Sequence, residues 1–267
     1  MQSLSQLELS AENQPNSIEV QQTLAETYIK EERWEEAAKT YRSLTSLYPD
    51  TAALFINRIR LGAAALLISS GFIFAAALIQ PSLSLANLAQ AFNSPAYLSA
   101  QVLLILALAL YSCSAISIYK LLSYTRDHRP AFWAMVVSVI GVGLSMPALG
   151  IKSFVYPIIG RMTLAGHADV MDIYLSLNAY PSRGFLGTGG YLLVAGIAIF
   201  AGVIRRNKGI SLPSILIFFT GWLGMTTTQD FFVFGILAAL GGGWLGVSLW
   251  NQASVQFNPN MDRTIRS

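Results

Sequence analysis

Hydrophobic and polar positions fall into two regimes along the chain. Up to about residue 58 apolar residues recur at helical spacing among charged ones; beyond that, long runs hold no charged residue at all. Residues 61–119 contain no Asp, Glu, Lys or Arg, and further uncharged runs occupy 130–151, 184–204, 209–229 and 231–261. A membrane-crossing helix takes about 20 apolar residues to traverse roughly 30 Å of hydrocarbon. The first run therefore holds two spans, separated by a turn bracketed by Pro81 and Pro95, and each later run holds one. Six spans are predicted, near 59–80, 97–120, 131–151, 185–204, 212–228 and 231–250. They lack the period-two alternation of barrel strands, and in lipid each backbone N–H and C=O must be satisfied within its own segment. The expected fold is all-α: a polytopic bundle of six transmembrane helices with an N-terminal cytoplasmic helical hairpin.

The hairpin is read from the first regime. Residues 1–16, with the breakers Asn13, Pro15 and Asn16, read as a flexible leader. Ser17 is placed to cap a helix near 18–31 whose apolar side is Ile18, Leu24, Ala25 and Tyr28. A second helix follows from Trp34 to Tyr48, with Trp34, Ala37, Ala38, Tyr41, Leu44 and Tyr48 on one side and a Glu35–Lys39 pair on its surface, and Pro49-Asp50 ends it. No breaker stands between Asp50 and Pro81, so a rigid helix of about 30 residues, about 45 Å long, is expected to run into the first span. Ala53, Leu54 and Ile56 on it are expected to cover the hairpin. The chain then divides into a leader at 1–16, the hairpin at 17–50, the membrane domain at 51–252 and a cytoplasmic tail at 253–267.

Composition agrees. With 54% hydrophobic and 12% charged residues, the chain carries half the roughly 25% charge that a soluble surface needs, which excludes a purely soluble protein. The basic residues fix an orientation under the positive-inside rule. Arg58, Arg60, Lys120, Arg126, Arg129, Arg205, Arg206, Lys208, Arg263 and Arg266 fall on one side, against Lys152, Arg161 and Arg183 on the other, so both termini are expected in the cytoplasm. Residues 1–58 hold nine acids and five bases, which excludes a phosphate backbone as partner of that segment. The basic excess belongs to the membrane half, where it faces the lipid bilayer.

Candidate chemistry is sparse. One cysteine, Cys113, precludes an internal disulfide, and no metal-ligand spacing stands out. His128 and His167 fall on opposite sides of the bilayer, which rules out a bis-histidine haem. His167, Asp169 and Asp172 share an outer loop without a metal motif, and residues 168–180 read as an amphipathic surface segment. The spans hold no ionisable residue at mid-depth, against proton- or ion-coupled transport. Gln101 reads as a packing contact near the outer third of the second span, and Asp230 as a cap of the sixth. Neither HExxH nor GxSxG occurs. No enzyme activity, cofactor or metal is expected. Small residues at a spacing of four, Ala198 with Gly202 and Gly242 with Gly246, predict close helix contacts.

Residues 18–51 resemble one tetratricopeptide repeat, a helix-turn-helix unit of about 34 residues. Leu24, Ala25, Tyr28, Ala37, Tyr41 and Pro49 fall on signature positions, whereas Gln21 stands where Trp is usual and Leu44 where a small Ala is usual. The resemblance implies protein docking, with Glu19, Gln22, Glu26, Ile29 and Lys30 of the first helix lining the groove. The order of spans and loops over roughly 55–250 resembles a widespread group of six-span bacterial membrane proteins, which implies a bacterial inner or internal membrane. The expected function is a docking or assembly module at the membrane, its partner another protein or a second copy of the chain. The alternative is a carrier or sensor of a small apolar or lipid-like ligand among the glycine-rich later spans.

Overall fold

The computed structural model describes residues 3–31, 33, 36–37, 39–40, 43, 49–84, 86–123, 127–167, 169–179, 182–206, 211–227 and 231–255. Among these every regular element is a helix: α1 (Leu4–Asn13), α2 (Ile18–Lys30), α3 (Pro49–Ile79), α4 (Leu88–Phe92), α5 (Pro95–Leu122), α6 (His128–Leu164), α7 (Val170–Ala179), α8 (Ser182–Arg206), α9 (Leu212–Thr227) and α10 (Phe231–Val255). Five of them, α3, α5, α6, α8 and α10, are long and apolar enough to cross a membrane, which marks an integral membrane protein. The fifth expected span is the shorter apolar helix α9, whose 16 residues rise only about 24 Å.

α3, α5, α6, α8, α9 and α10 form a closed ring in which each packs on its neighbours in the chain and α10 returns to α3. Side chains fill the middle. Tyr111 on α5 reaches across to Phe218 on α9, ring centroids 5.7 Å apart, and Phe218 meets Trp222 edge-on. Leu66, Leu193, Ile197 and Phe200 complete this core at 1% exposure or less. Hydroxyls tie neighbouring helices together: Ser69 donates to the Ala107 carbonyl at 2.8 Å and Ser114 to the Gly62 carbonyl at 2.9 Å. Ser70, Ser145 and Thr220 donate instead to their own helices.

Two boundaries differ from the sequence reading. α1 occupies the stretch expected to be a flexible leader. Ser3 and Gln6 form a reciprocal capping box at its start, and Leu4, Leu7 and Ala11 share one face that packs on Leu24, Tyr28 and Ala37. Asn13, Pro15 and Asn16 thus separate two helices rather than extend a disordered leader. α6 does not stop at residue 151 but runs 37 residues to Leu164. Lys152 and Arg161 are isolated charges in a stretch rich in Ile, Val, Phe and Tyr, and the helix continues past Pro147 and Pro157 inside it until Gly166, whose φ of +99° turns the chain. Lys152 therefore lies within a helix and not in a loop.

α3 is continuous from Pro49 to Ile79, as the lack of a breaker predicts. The side chains of Ala53 and Leu54, expected to cover the hairpin, lie outside the described residues. The cover on the apolar side of α2 comes from α1. Of the second hairpin helix, Glu36, Ala37, Lys39, Thr40 and Ser43 are helical, and Trp34, Ala38, Tyr41, Leu44 and Tyr48 lie outside the described residues, as does Asp230.

Candidate functional site

Two places concentrate polar or aromatic groups: the N-terminal helical unit and the end of the bundle where α4 and α7 pack on α6. In the first, α1 and α2 are knitted by charge. The Glu8 carboxylate accepts a hydrogen bond from the Tyr28 hydroxyl at 2.8 Å and pairs with Arg33 at 3.1 Å. Arg33 also pairs with Glu36 at 3.0 Å and lies 4.6 Å from the centre of the Tyr28 ring. Burial first, and then the bond to the Glu8 carboxylate, push the Tyr28 hydroxyl up to about 12. With α1 on one side of α2, Glu19, Gln22 and Glu26 are left exposed at spacings of three and four. The side chains of Ile29 and Lys30 lie outside the described residues.

At the capped end, α6 outruns the membrane-spanning length and its last turns are covered by α4 and α7. Gly160 permits the approach, because a Cβ there would lie 2.7 Å from the Ala89 carbonyl oxygen and 2.9 Å from Phe92 Cβ. Phe92 is the hub of an aromatic cluster, its ring 5.1 Å from Tyr97, 4.9 Å from Tyr156 and 5.3 Å from Tyr174. Burial holds the Tyr174 hydroxyl above its usual range. One helical turn from Tyr97 lies Gln101, 3% exposed, with no hydrogen-bond partner for Oε1 among the described residues. One turn from Tyr156 lies Lys152, partly buried and without an acidic partner among them. Gln80 Oε1, just past the same end of α3, is likewise buried without a partner among the described residues. From sequence, Tyr97 and Tyr156 read only as aromatic anchors at the outer interface, Lys152 as a loop charge ending the third span, and Gln101 as a packing contact; nothing in the spacing of these residues announces the Phe92 cluster.

The small-residue pairs divide. Gly242 and Gly246 face α3: a Cβ on Gly242 would lie 2.5 Å from Ser70 Oγ, and one on Gly246 2.8 Å from Leu67 Cγ. Ala198 and Gly202 are exposed, and a Cβ on Gly202 would meet nothing within 4 Å, so this pair makes no close helix contact. On α8 that role falls to Gly189 and Gly196, whose added Cβ atoms would lie 2.7 Å from the Gly141 oxygen and 2.8 Å from the Ser138 nitrogen. Gly221, Gly235 and Gly241 of the later helices are filled in the same way by Ala238, Ala77 and Phe218. The glycine-rich helices that the sequence offered as a ligand site are thus occupied by their neighbours at these positions. Among the described residues no three of His, Cys, Asp and Glu gather to hold a metal, and His167, Asp169 and Asp172 stand exposed.

Set against known proteins, the chain matches no family model, no curated protein and no solved structure.

Proposed function

We propose that this chain is a non-enzymatic integral membrane protein whose N-terminal helical unit docks another protein at the membrane surface. The observation that carries this reading is the division of α2 into two faces. α1 covers the apolar one, and Glu19, Gln22 and Glu26 stay exposed on the other. A surface with that stripe, in a segment with nine acids and five bases over residues 1–58, selects a partner segment rich in Lys and Arg. The resemblance to a tetratricopeptide repeat supports the same face. The distribution of Lys and Arg supports placing it, with both termini, in the cytoplasm, and the span order supports a bacterial inner or internal membrane. Photo-crosslinking from position 22 in intact cells tests the proposal. A crosslinked protein, or a crosslinked second copy, that disappears in Glu19→Lys/Glu26→Lys while the chain remains inserted is the expected result. A folded, inserted chain that crosslinks to no protein refutes it.

A second reading is favoured by Gln101, 3% exposed, whose Oε1 has no partner among the described residues. Buried polar groups without partners inside an apolar bundle are costly and persist where something outside the chain completes them. The bundle then holds a small lipid-like ligand at its capped end and not among the glycine-rich helices.

A further inference from the structure

At the end of the bundle opposite the cap, α5 and α6 meet through aromatic rings. The Tyr119 ring on α5 lies edge-on to Phe132 on α6, centroids 5.7 Å apart, and Phe132 lies edge-on to Trp133 at 5.6 Å. The Lys120 ammonium sits 5.9 Å from the centre of the Tyr119 ring, so its stem bends toward the seam between the two helices. Contacts along the interface fix the register: Tyr111 lies opposite Ser138, oxygen to oxygen 3.5 Å, and Tyr119 opposite Phe132. Lys120 stands nine residues past Tyr111 and Arg129 nine before Ser138, so the antiparallel helices bring the two cations to the same height. Both are exposed, and Arg129 shares the outer side of α6 with Trp133, one turn further on.

This surface has its cations but no anion. Neither Lys120 nor Arg129 makes an ion pair among the described residues, and the acid nearest in sequence, Asp127, is buried at 8% exposure. Toward the middle of the bundle the same outer side turns apolar. Phe132 and Trp133 are 41% and 60% exposed, and beyond them Ile116 on α5 and Val139 on α6 are 46% and 38% exposed. Two cations over aromatic rings thus give way to bare hydrocarbon, the order of chemistry met along a phospholipid from phosphate to acyl chain. A free phosphate would use the cations and leave the apolar stretch uncovered. A zwitterionic headgroup would bring an ammonium of its own against Lys120 and Arg129.

We propose that Lys120 and Arg129, level with each other across the α5–α6 seam, hold the phosphate of an anionic phospholipid whose acyl chains run along Phe132, Ile116 and Val139. The phosphate oxygens accept from the ammonium and the guanidinium. This site lies at the other end of the bundle from Gln101 and depends on neither reading above.

The test uses the full-length chain in maltoside micelles. Thermal unfolding is followed while lipid is added, since a ligand of the folded state raises the midpoint by an amount set by its concentration relative to its affinity. Phosphatidylglycerol is expected to raise it at concentrations where phosphatidylcholine, glycerol phosphate and inorganic phosphate do not. Lys120→Gln/Arg129→Gln is expected to weaken the phosphatidylglycerol response by about tenfold or more. Lys39→Gln/Arg161→Gln, which removes the same charge from exposed positions elsewhere, is expected to leave it unchanged. A second readout locates the lipid. Bromine on the acyl chains quenches nearby tryptophan, and the fluorescence lost in Trp133→Phe belongs to Trp133. In the parent that signal is expected to be quenched more by brominated phosphatidylglycerol than by brominated phosphatidylcholine, and in Lys120→Gln/Arg129→Gln equally by both. Circular dichroism checks that each variant is folded, and quenching in the parent decides the matter if the double variant is not. Equal midpoint shifts or equal quenching of the parent by the two lipids overturns the site, as does a loss of response that Lys39→Gln/Arg161→Gln reproduces. An equal response to inorganic phosphate overturns the lipid as its occupant.

Discussion

The sharpest consequence of the packing concerns two glycines on α6, Gly141 and Gly143. A Cβ on Gly141 would lie 2.5 Å from the Leu193 nitrogen, 2.7 Å from the Gly189 oxygen and 3.0 Å from the Leu193 Cα. All three are backbone atoms of α8, so no side chain can swing away and the helices must separate by about 1 Å to reach ordinary contact near 3.5 Å. Gly143, two residues on, has nothing within 4 Å of the same position. Both alanine variants gain the same roughly 1 kcal/mol of helix propensity, so their difference isolates the contact. Overpacking of this kind costs about 1–3 kcal/mol. Gly141→Ala should therefore unfold more readily than Gly143→Ala by about 5- to 150-fold in the equilibrium constant.

The measurement is reversible unfolding of the detergent-solubilised chain in increasing dodecyl sulfate, followed by circular dichroism. Gly189→Ala meets the same crossing from the other side, 2.7 Å from the Gly141 oxygen. Once the helices have parted for one methyl group the second costs less, so the double variant should be less destabilised than the sum of the singles. Two alanine variants at 141 and 143 that agree within about 0.5 kcal/mol would show that α6 and α8 are not in backbone contact there.

Gly246→Ala should cost about 1 kcal/mol, because Leu67 and the Ala63 carbonyl must yield, whereas Gly202→Ala should be neutral or stabilising; the same titration checks both. Leu7→Ala should cost about 2 kcal/mol, since Leu7 is 5% exposed between α1 and α2, and should appear as faster hydrogen exchange over residues 4–30 with the membrane helices unaffected. The Tyr28 bond to Glu8 stabilises the unit fully below the free-tyrosine value of 10 and is lost as pH rises through about 12. Tyrosinate absorbance should then show Glu8→Gln titrating one tyrosine at lower pH than the parent. Glu36 is held below its ordinary 4.5 by its backbone hydrogen bond first and then by Arg33, so its contribution is present above that value and lost as pH falls through the depressed one, detectable as faster hydrogen exchange around residues 36–40 in acid, an effect that Arg33→Gln reduces in part.

Much of the bundle was legible because the signal is an absence of charge over lengths set by the bilayer. That signal marks the existence of spans well and their ends poorly. Lys152 illustrates why: a charge is incompatible with the hydrocarbon centre, but nothing in helix geometry forbids it one residue further along an unbroken helix. Ala198 and Gly202 fail for another reason. A spacing of four states that two small residues share a face, not which way the face points, and on α8 the face turned to α6 carries Gly189 and Gly196. α1 was missed because Asn13, Pro15 and Asn16 dominate a short polar stretch, while its own evidence, Ser3 with Gln6 and Leu4, Leu7 and Ala11, is a pattern of single residues.

The length of α6 links these observations. At 37 residues it rises about 55 Å, well beyond a bilayer core of about 30 Å, and the projecting turns carry Tyr156, Ile159 and Gly160 on a buried face. Such an end needs cover, and α4 and α7 provide it from two different connections of the chain. Stability alone would be met by an apolar seam beneath that cover. Instead α5 holds a glutamine whose buried oxygen has no partner, and α6 a half-buried lysine without an acidic partner, among the described residues. Substituting Lys152 by an apolar residue of similar length would remove that charge from the helix. Lys152→Met is accordingly expected to leave the chain at least as stable as the parent in the same dodecyl sulfate titration, and a clear loss of stability would show that the ammonium group has a partner the fold needs.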